Sequence, residues 1–303
     1  MLIRLNSLDE LAIEKGPLHL ALGVFDGVHL GHQAVIERAV RAAREDGGKA
    51  FVVTFSPHPI RVIAPAKAPS SLLATVDEKA AVIEALGVDG VVVIRFDQEF
   101  AKIEAEQFVR RICIGDVRTI AVGEDWRFGR ERAGGVDLLR RMSVDLGFKL
   151  EVVEAVKCDG ERISSTRIRQ AIRDGNFDAV ERMLGRPYEV SGIVIEGRKL
   201  GRELGFPTAN LRLGDLQAPQ NGVWLVKING EYDGIANLGM RPTVAGDERL
   251  LEVHLFNFTG DLYGKSLSVG FIRFIREERT FSSLEKLRDQ IGQDVQNASQ
   301  SIG

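Results

Sequence analysis

Gly23-Val24-Phe25-Asp26-Gly27-Val28-His29-Leu30-Gly31-His32 overlaps the end of an apolar strand-like run, LHLALGVF at 18–25, and leads into an amphipathic helix-like run, QAVIERAVRAAREDGG at 33–48. In a parallel α/β sheet such a junction lies at the carboxyl edge of a strand, where ligands bind, and the helix start offers free backbone N–H groups to an anion. Gly23, Gly27 and Gly31 let the backbone approach a phosphate closely. His29 and His32 are three residues apart, so at a helix start their rings can converge on one ligand. Taken alone, the histidine pair is equally a polar helix start or half of a zinc site; the glycine framing favours a phosphate.

The same rhythm extends outward from this stretch. AFVVTF (50–55), GVVVIRF (90–96), RTIAV (118–122) and FKLEVVEAV (148–156) read as strands. DEKAAVIEALG (77–87), EAEQFVRRICIG (104–115) and GVDLLRRMSVDLG (135–147) read as helices between them, each finishing at Gly. The alternation predicts an α/β domain with a parallel sheet and helices on both faces. Two short helical patterns, STRIRQAIRDG (165–175) and NFDAVERMLG (176–185), follow. At Gly185-Arg186-Pro187 the pattern becomes strands punctuated by Gly, Pro and Asn, so the expected domains are 1–186 and 187–303. Asn229-Gly230 suits a two-residue hairpin turn between VWLVKI and EYDGIANLG. LLEVHLFNF and SLSVGFIRFI continue an all-β reading, a small barrel or sandwich. Ser282 to Glu285 has capping-box spacing ahead of a terminal amphipathic helix.

A chain of 303 residues suits two domains, each able to bury a core, and 44% hydrophobic with 27% charged residues is a globular balance. The start MLIRLNSLDE has no apolar signal core and no 18-residue apolar run occurs, which together predict a cytoplasmic protein with no membrane partner. Cys113 and Cys158 lack metal or disulfide spacing and read as packing residues. A formal charge of -3 leaves no basic footprint for nucleic acid, so any phosphate chemistry is local.

Arg162-Ile163-Ser164-Ser165-Thr166-Arg167-Ile168-Arg169 is a hydroxyl-rich helix start carrying three guanidinium groups, suited to a polyphosphate although by itself equally an N-cap on a solvated basic face. Gly205-Phe206-Pro207-Thr208-Ala209-Asn210-Leu211, read alone, is a turn. Gly260-Asp261-Leu262-Tyr263-Gly264-Lys265-Ser266 imitates a phosphate loop, but it has three residues between its glycines instead of four and precedes a strand; it too reads as a turn.

GVFDGVHLGH and ISSTRIR resemble the two nucleotide-binding signatures of the nucleotidyltransferase superfamily, and TFSPHP and GEDWRFGRERAGG resemble its flavin-enzyme branch. GFPTANL, NLGMRPTV, LEVHLFNFTGDLYGK and IREERTFSSLEKLRDQI resemble riboflavin kinase motifs in the same order. Nearly the whole chain is thus similar to the prokaryotic bifunctional riboflavin kinase/FMN adenylyltransferase family. The resemblance implies two ATP-dependent steps, riboflavin to FMN in the C-terminal domain and FMN to FAD with release of pyrophosphate in the N-terminal one. It implies Mg2+ as cofactor, with riboflavin, FMN and ATP as partners of a monomer or weak homo-oligomer. Carried over by position, Gly23, Phe25, Asp26, Gly27, His29, His32, Ser165, Thr166 and Arg169 line the first ATP site, with His29 and His32 stabilising charge on the phosphates. Pro57, His58, Asp125 and Phe128 lie near FMN. In the kinase half, Gly201, Thr208 and Asn210 bind ATP, Thr208 and Asn210 also hold Mg2+, and Glu252 is the general base.

Three residues depart from the family pattern. Trp126 stands for a more usual Phe, Trp224 for a common Tyr, and Leu200 for a frequent Arg, with Arg198 and Lys199 alongside. Alternation through Leu251-Glu252-Val253-His254-Leu255 puts Glu252 and His254 on one face, where without the resemblance a carboxylate is a plain solvated strand residue.

Overall fold

The computed structural model describes residues 2–197, 200–243 and 246–300; Arg198, Lys199 and Val244 lie outside them. The chain divides into two compact units, Met1–Ser165 and Thr166–Gly303.

The first unit is a six-stranded sheet in the order β1-β4-β3-β2-β5-β6, all parallel. Its elements are β1 (Ile3–Leu5), α1 (Leu8–Ala12), β2 (Leu18–Leu22), α2 (Leu30–Asp46), β3 (Lys49–Ser56), α3 (Pro59–Ile63), α4 (Val76–Ala85), β4 (Gly90–Arg95), α5 (Ala105–Ile112), β5 (Val117–Gly123), α6 (Val136–Leu146) and β6 (Lys149–Val153). Alternation sends Phe51, Val53 and Phe55 of β3 into one core with α1, α5 and α6, and Ala50 and Val52 into the other with α2 and α4. Burial on both faces is why the strands read as continuous apolar runs. The chain steps outward from β2 through β3 to β4, then returns to pair β5 on the other side of β2. That reversal opens a crevice at the carboxyl ends of β2 and β5. A small hairpin of β7 (Lys157–Cys158) and β8 (Glu161–Arg162) follows.

The second unit holds α7 (Ser165–Arg173, entered from the last residue of the first unit), α8 (Phe177–Leu184), β9 (Glu189–Ile195), α9 (Leu200–Glu203), β10 (Ala209–Arg212), β11 (Gly222–Ile228), β12 (Tyr232–Thr243), β13 (Gly246–Leu255), β14 (Ser266–Arg276) and α10 (Leu284–Ser299). The strands form a closed antiparallel barrel, β10-β13-β12-β11-β14-β9. Closure leaves no sheet edge open. Helix α10 lays Ile291, Val295 and Ala298 over Val223, Leu225 and Ile235, so β11 is apolar on both faces. Arg276 pins that helix through a bidentate pair with Asp294 (3.0 and 2.7 Å), whose side chain is 2% exposed.

Several local expectations change. The Asn229 turn spans three residues, because Glu231 N–H bonds to Ile228 and the ladder begins at Ile228–Tyr232; Asn229 and Gly230 both take positive φ. Ser283, not Ser282, caps α10 and accepts from Lys286 N, so Glu285 sits too early to close a box. A complete capping box instead starts α4, between Thr75 and Glu78. Cys113 packs against the core, and burial raises its thiol to about 11, whereas Cys158 lies on the small hairpin and bonds to Asp159. Residues 260–265 turn and then enter β14, as the imitation phosphate loop predicts.

The division between units falls upstream of the pattern change at Gly185-Arg186-Pro187 because α8 belongs to the barrel's core. Phe177 stacks on Phe271 at 5.6 Å and meets Trp224 edge-on at 5.6 Å. Trp224 is fully buried and donates from Nε1 to Gln220 O. A fragment starting at Asn176 therefore resists urea better than one starting at Pro187, by about 3–5 kcal/mol, the usual cost of removing a buried aromatic. Equal midpoints for the two fragments would show that α8 adds nothing to the barrel.

Candidate active sites

The crevice at β2 is shaped by backbone that is itself strained. Phe25 and Val28 adopt φ of 52° and 42°, left-handed values that cost a non-glycine residue about 1–3 kcal/mol each. Gly27, at φ 80°, takes the third left-handed position, and a Cβ there would strike Leu73. The turn is held from several directions. Asp26 Oδ1 accepts from Leu73 N (2.9 Å), and Asp26 O accepts from Ser165 Oγ (3.0 Å). Val24 O accepts from both Lys79 Nζ (2.9 Å) and Thr54 Oγ1 (2.9 Å). The Ser165 bond joins the two sequence motifs, 139 residues apart.

His29 is the N-cap of α2 and its Nδ1 accepts from His32 N at 3.3 Å. The two imidazoles stack 3.6 Å apart, and Phe25 meets His32 edge-on. His32 Nδ1 is buried and has no hydrogen-bond partner. Burial, then the charges of His29, Lys79 and Arg162, hold its pKa well below 6.5. An enclosed ring nitrogen without a partner, in a positive field at a helix start, is prepared to meet an anion. No cluster of three or more His, Cys, Asp or Glu is placed to hold a metal among the described residues.

Pro57 and His58 line a cavity of about 180 Å3 with Val24, Asp26, Arg61 and Lys79. His58 caps α3, and the Ser56–Pro57 peptide is cis. Asp125 and Phe128 are not among the cavity's lining residues. Asp125 pairs with Arg162 at 2.6 Å, just beyond the end of β5, and Phe128 is buried, stacked 4.4 Å from Trp126. Gly23 is buried at the end of β2. Thr166 and Arg169 occupy the start of α7 in the second unit, Thr166 exposed and Arg169 buried. Lys79, buried in the cavity wall, is absent from the motifs; the signal for it is a lysine among apolar positions of a capped helix.

In the barrel, strand register places Glu252 beside Asn210 on one side and Asn237 on the other. Leu251, Val253 and Leu255 face the core, and Glu252 and His254 are half-buried on the other face, as alternation predicts. Arg241 Nε lies 3.4 Å from Glu252 Oε1 and its NH1 3.6 Å from Glu278 Oε1. His254 Nδ1 lies 2.9 Å from Pro207 O, directly ahead of half-buried Thr208. Gly201 approaches Phe206 O and Thr208 too closely for a Cβ, and Gly197 does the same with Asn210. A second hollow is lined by Phe206, Leu204, Arg288, Asp289 and Gln293. Leu200 opens α9.

An α/β unit with an anion-ready loop, followed by a barrel carrying a row of hydroxyl, amide and carboxylate oxygens, is the plan of a two-module enzyme of phosphorylated substrates. The FAD synthetase family model matches residues 12–167 and the riboflavin kinase model matches residues 184–302. The chain is 44% identical over 280 residues to a bifunctional riboflavin kinase/FMN adenylyltransferase of Pseudomonas fluorescens, covering 90% of this chain and 89% of that protein. It is 39% identical to the Escherichia coli K12 protein of the same description, covering 94% and 92%. A solved structure described as a macrolide-efflux protein from Streptococcus pneumoniae superposes with a TM-score of 0.84 at 30% identity over 98% of both chains. The chain belongs to the bifunctional riboflavin kinase/FMN adenylyltransferase family. Among the described residues no helix is long and apolar enough to cross a membrane.

His32 gives the first unit a pH signature. A histidine whose folded pKa is depressed adds stability above its unfolded value, 6.5, and loses it as the pH falls below that value. Urea unfolding of a Trp224→Phe protein, which leaves Trp126 as the reporter of the first unit, should lose up to about 1.4 kcal/mol per pH unit from this group below pH 6.5. His32→Gln should flatten that slope; an unchanged slope would assign it to other groups.

Proposed function

We propose that the Gly23–His32 loop and the Thr208–Asn210–Glu252 row are the two active sites of this bifunctional enzyme, which phosphorylates riboflavin to FMN and adenylylates FMN to FAD. The observation that carries the first assignment is the enclosed, unpartnered His32 Nδ1 stacked on His29 at the mouth of the β2 crevice. ATP lies with its phosphates on the start of α2, along Gly23, Phe25, Asp26, Gly27, His29 and His32, with Ser165 contributing from the second motif. The FMN phosphate attacks the α-phosphorus and pyrophosphate leaves, so no protein nucleophile is required. Catalysis is orientation and charge stabilisation. His32, held neutral in the free protein, donates to a phosphate oxygen as negative charge reverses the local field. The cavity with Pro57 and His58 receives the flavin; Asp125 and Phe128, outside its lining, are assigned near FMN by motif position alone.

In the barrel, Glu252 accepts the proton of the riboflavin 5′-hydroxyl as that oxygen attacks the γ-phosphorus of ATP, and ADP leaves. Register puts Asn210 beside it, and Arg241 keeps the carboxylate oriented. Thr208 and Asn210 offer hard oxygens, and the close glycines leave a cradle that a Cβ would fill; the set fits Mg2+ held by these two residues and the ATP phosphates. When bound, the ion neutralises phosphate charge. The functional boundary at 186/187 separates the two activities, and cytoplasmic location belongs to the same reading.

Incubation with riboflavin and ATP-Mg, followed by chromatographic separation of flavins, tests the whole assignment: FMN and then FAD should accumulate, and the absence of both would overturn it. His32→Ala should lower FAD formation from FMN about 10²-fold or more while riboflavin phosphorylation continues. Equal loss of both activities in a folded variant would contradict separate sites. Glu252→Gln should lower FMN formation by about 10²- to 10⁴-fold and leave FAD formation from supplied FMN intact. An unchanged kinase rate would remove Glu252 from the reaction.

A further inference from the structure

Lys79 is a lysine where the fold has little use for one. It is 6% exposed on α4, in the wall of the cavity that Asp26, Pro57 and His58 line. Burying an ammonium is costly unless it is paired and hydrogen-bonded. Here Nζ donates to Val24 O at 2.9 Å and to Thr54 Oγ1 at 3.1 Å, and it faces the Asp26 carboxylate. Val24 O belongs to the peptide that enters the left-handed Phe25, where the chain leaves β2 and begins the anion loop. The capping box of Thr75 and Glu78 fixes the first turn of α4 immediately before Lys79. Just upstream, Leu73 N–H grips Asp26. The segment from Leu73 to Lys79 thus holds the loop at two points, one on each side of the strained Phe25.

We propose that charged Lys79 is a positioning residue for adenylyl transfer, clamping the Val24–Phe25 turn so that Asp26, His29 and His32 keep the geometry the phosphates need. The inference rests on placing that reaction at the Gly23–His32 loop. A charge-assisted bond is roughly twice as strong as a neutral one, so the ammonium holds the Val24 carbonyl better than the amine does. Misplacing reacting groups by about 1 Å is enough to cost about 10²-fold in rate. Desolvation brings the Lys79 pKa from 10.5 down to about 8, with Asp26 opposing the fall. The clamp is therefore charged below about pH 8 and neutral above it. The other titratable or charged groups facing this amine are Asp26 in the loop, His58 and Arg61 in the cavity wall, and His32 on α2. Burial holds the His32 pKa well below 6.5 and brings that of Lys79 to about 8, so a basic limb near 8 belongs to Lys79.

The test is the pH profile of kcat for FAD formation from FMN, between pH 7 and 9.5, with riboflavin phosphorylation by the same protein as the internal control. The unmodified enzyme should fall about 10- to 100-fold with a midpoint near 8, and its kinase rate should not follow. Lys79→Met should begin at the lower level, in kcat rather than in the KM for ATP, and lack the limb; Lys79→Arg should recover part of the rate and keep it above pH 8. FAD formation by Lys79→Met at the unmodified rate, or with the same basic limb, overturns the inference. If Lys79→Met fails to fold, as read from Trp126 fluorescence in a Trp224→Phe background, the unmodified profile decides: a limb confined to FAD formation supports the clamp and a flat profile overturns it. An unmodified protein that makes FMN but no FAD overturns the site assignment and this inference together, whereas FAD formation indifferent to Lys79→Met overturns the inference alone.

Discussion

The site proposed for the first unit depends on holding one turn in a shape its residues would not choose. Phe25 and Val28 are both left-handed, one aromatic and one β-branched, and neither has a local reason to be so. Two such residues cost about 2–6 kcal/mol together, a large share of a domain's net stability. Buried polar contacts meet that cost: the Val24 carbonyl takes two donors, and Asp26 is held by side chain and backbone. The strain has a use. It tucks Phe25 and Val28 into the core, aims Asp26 into the cavity, and delivers His29 to the cap of α2 with its ring stacked on His32. A relaxed turn would leave the imidazoles in water, where they would be solvated and of little electrostatic consequence.

The barrel solves its positioning problem differently, by register rather than by strain. Closure fixes which residue of β10 and β12 stands beside each residue of β13, so Asn210, Glu252 and Asn237 form a row without any one of them being forced. A slip of one residue would turn Glu252 into the core and Leu251 outward, which the fully buried Leu251 and Val253 forbid. The carboxylate is also set by Arg241, which sits between Glu252 and Glu278. Trp224 belongs to this scheme as core rather than as a ligand contact, since its ring is enclosed by Phe177, Phe271 and Phe274 and its N–H is satisfied by Gln220. The departure from Tyr at that position is thus met by packing.

By itself the sequence determined the alternation of strands and helices in the first unit, the all-β rhythm of the second, and the motifs at both proposed sites. These follow from neighbours two to four residues apart, whose spacing is readable in one dimension; Gly47, Gly147 and Gly185 end α2, α6 and α8 in the left-handed conformation that such helix ends favour. Short elements such as β1, α3 and α9 carry too few residues to show a period. Tertiary structure alone decided the strand order that puts β5 beside β2, the assignment of α8 to the barrel core, and the joining of Ser165 to Asp26. It alone revealed Lys79, whose meaning comes from a carbonyl 55 residues away and from the loss of water around its charge. Burial and long-range pairing are properties of the folded interior, and no local pattern encodes what will surround a side chain once the chain has closed over it.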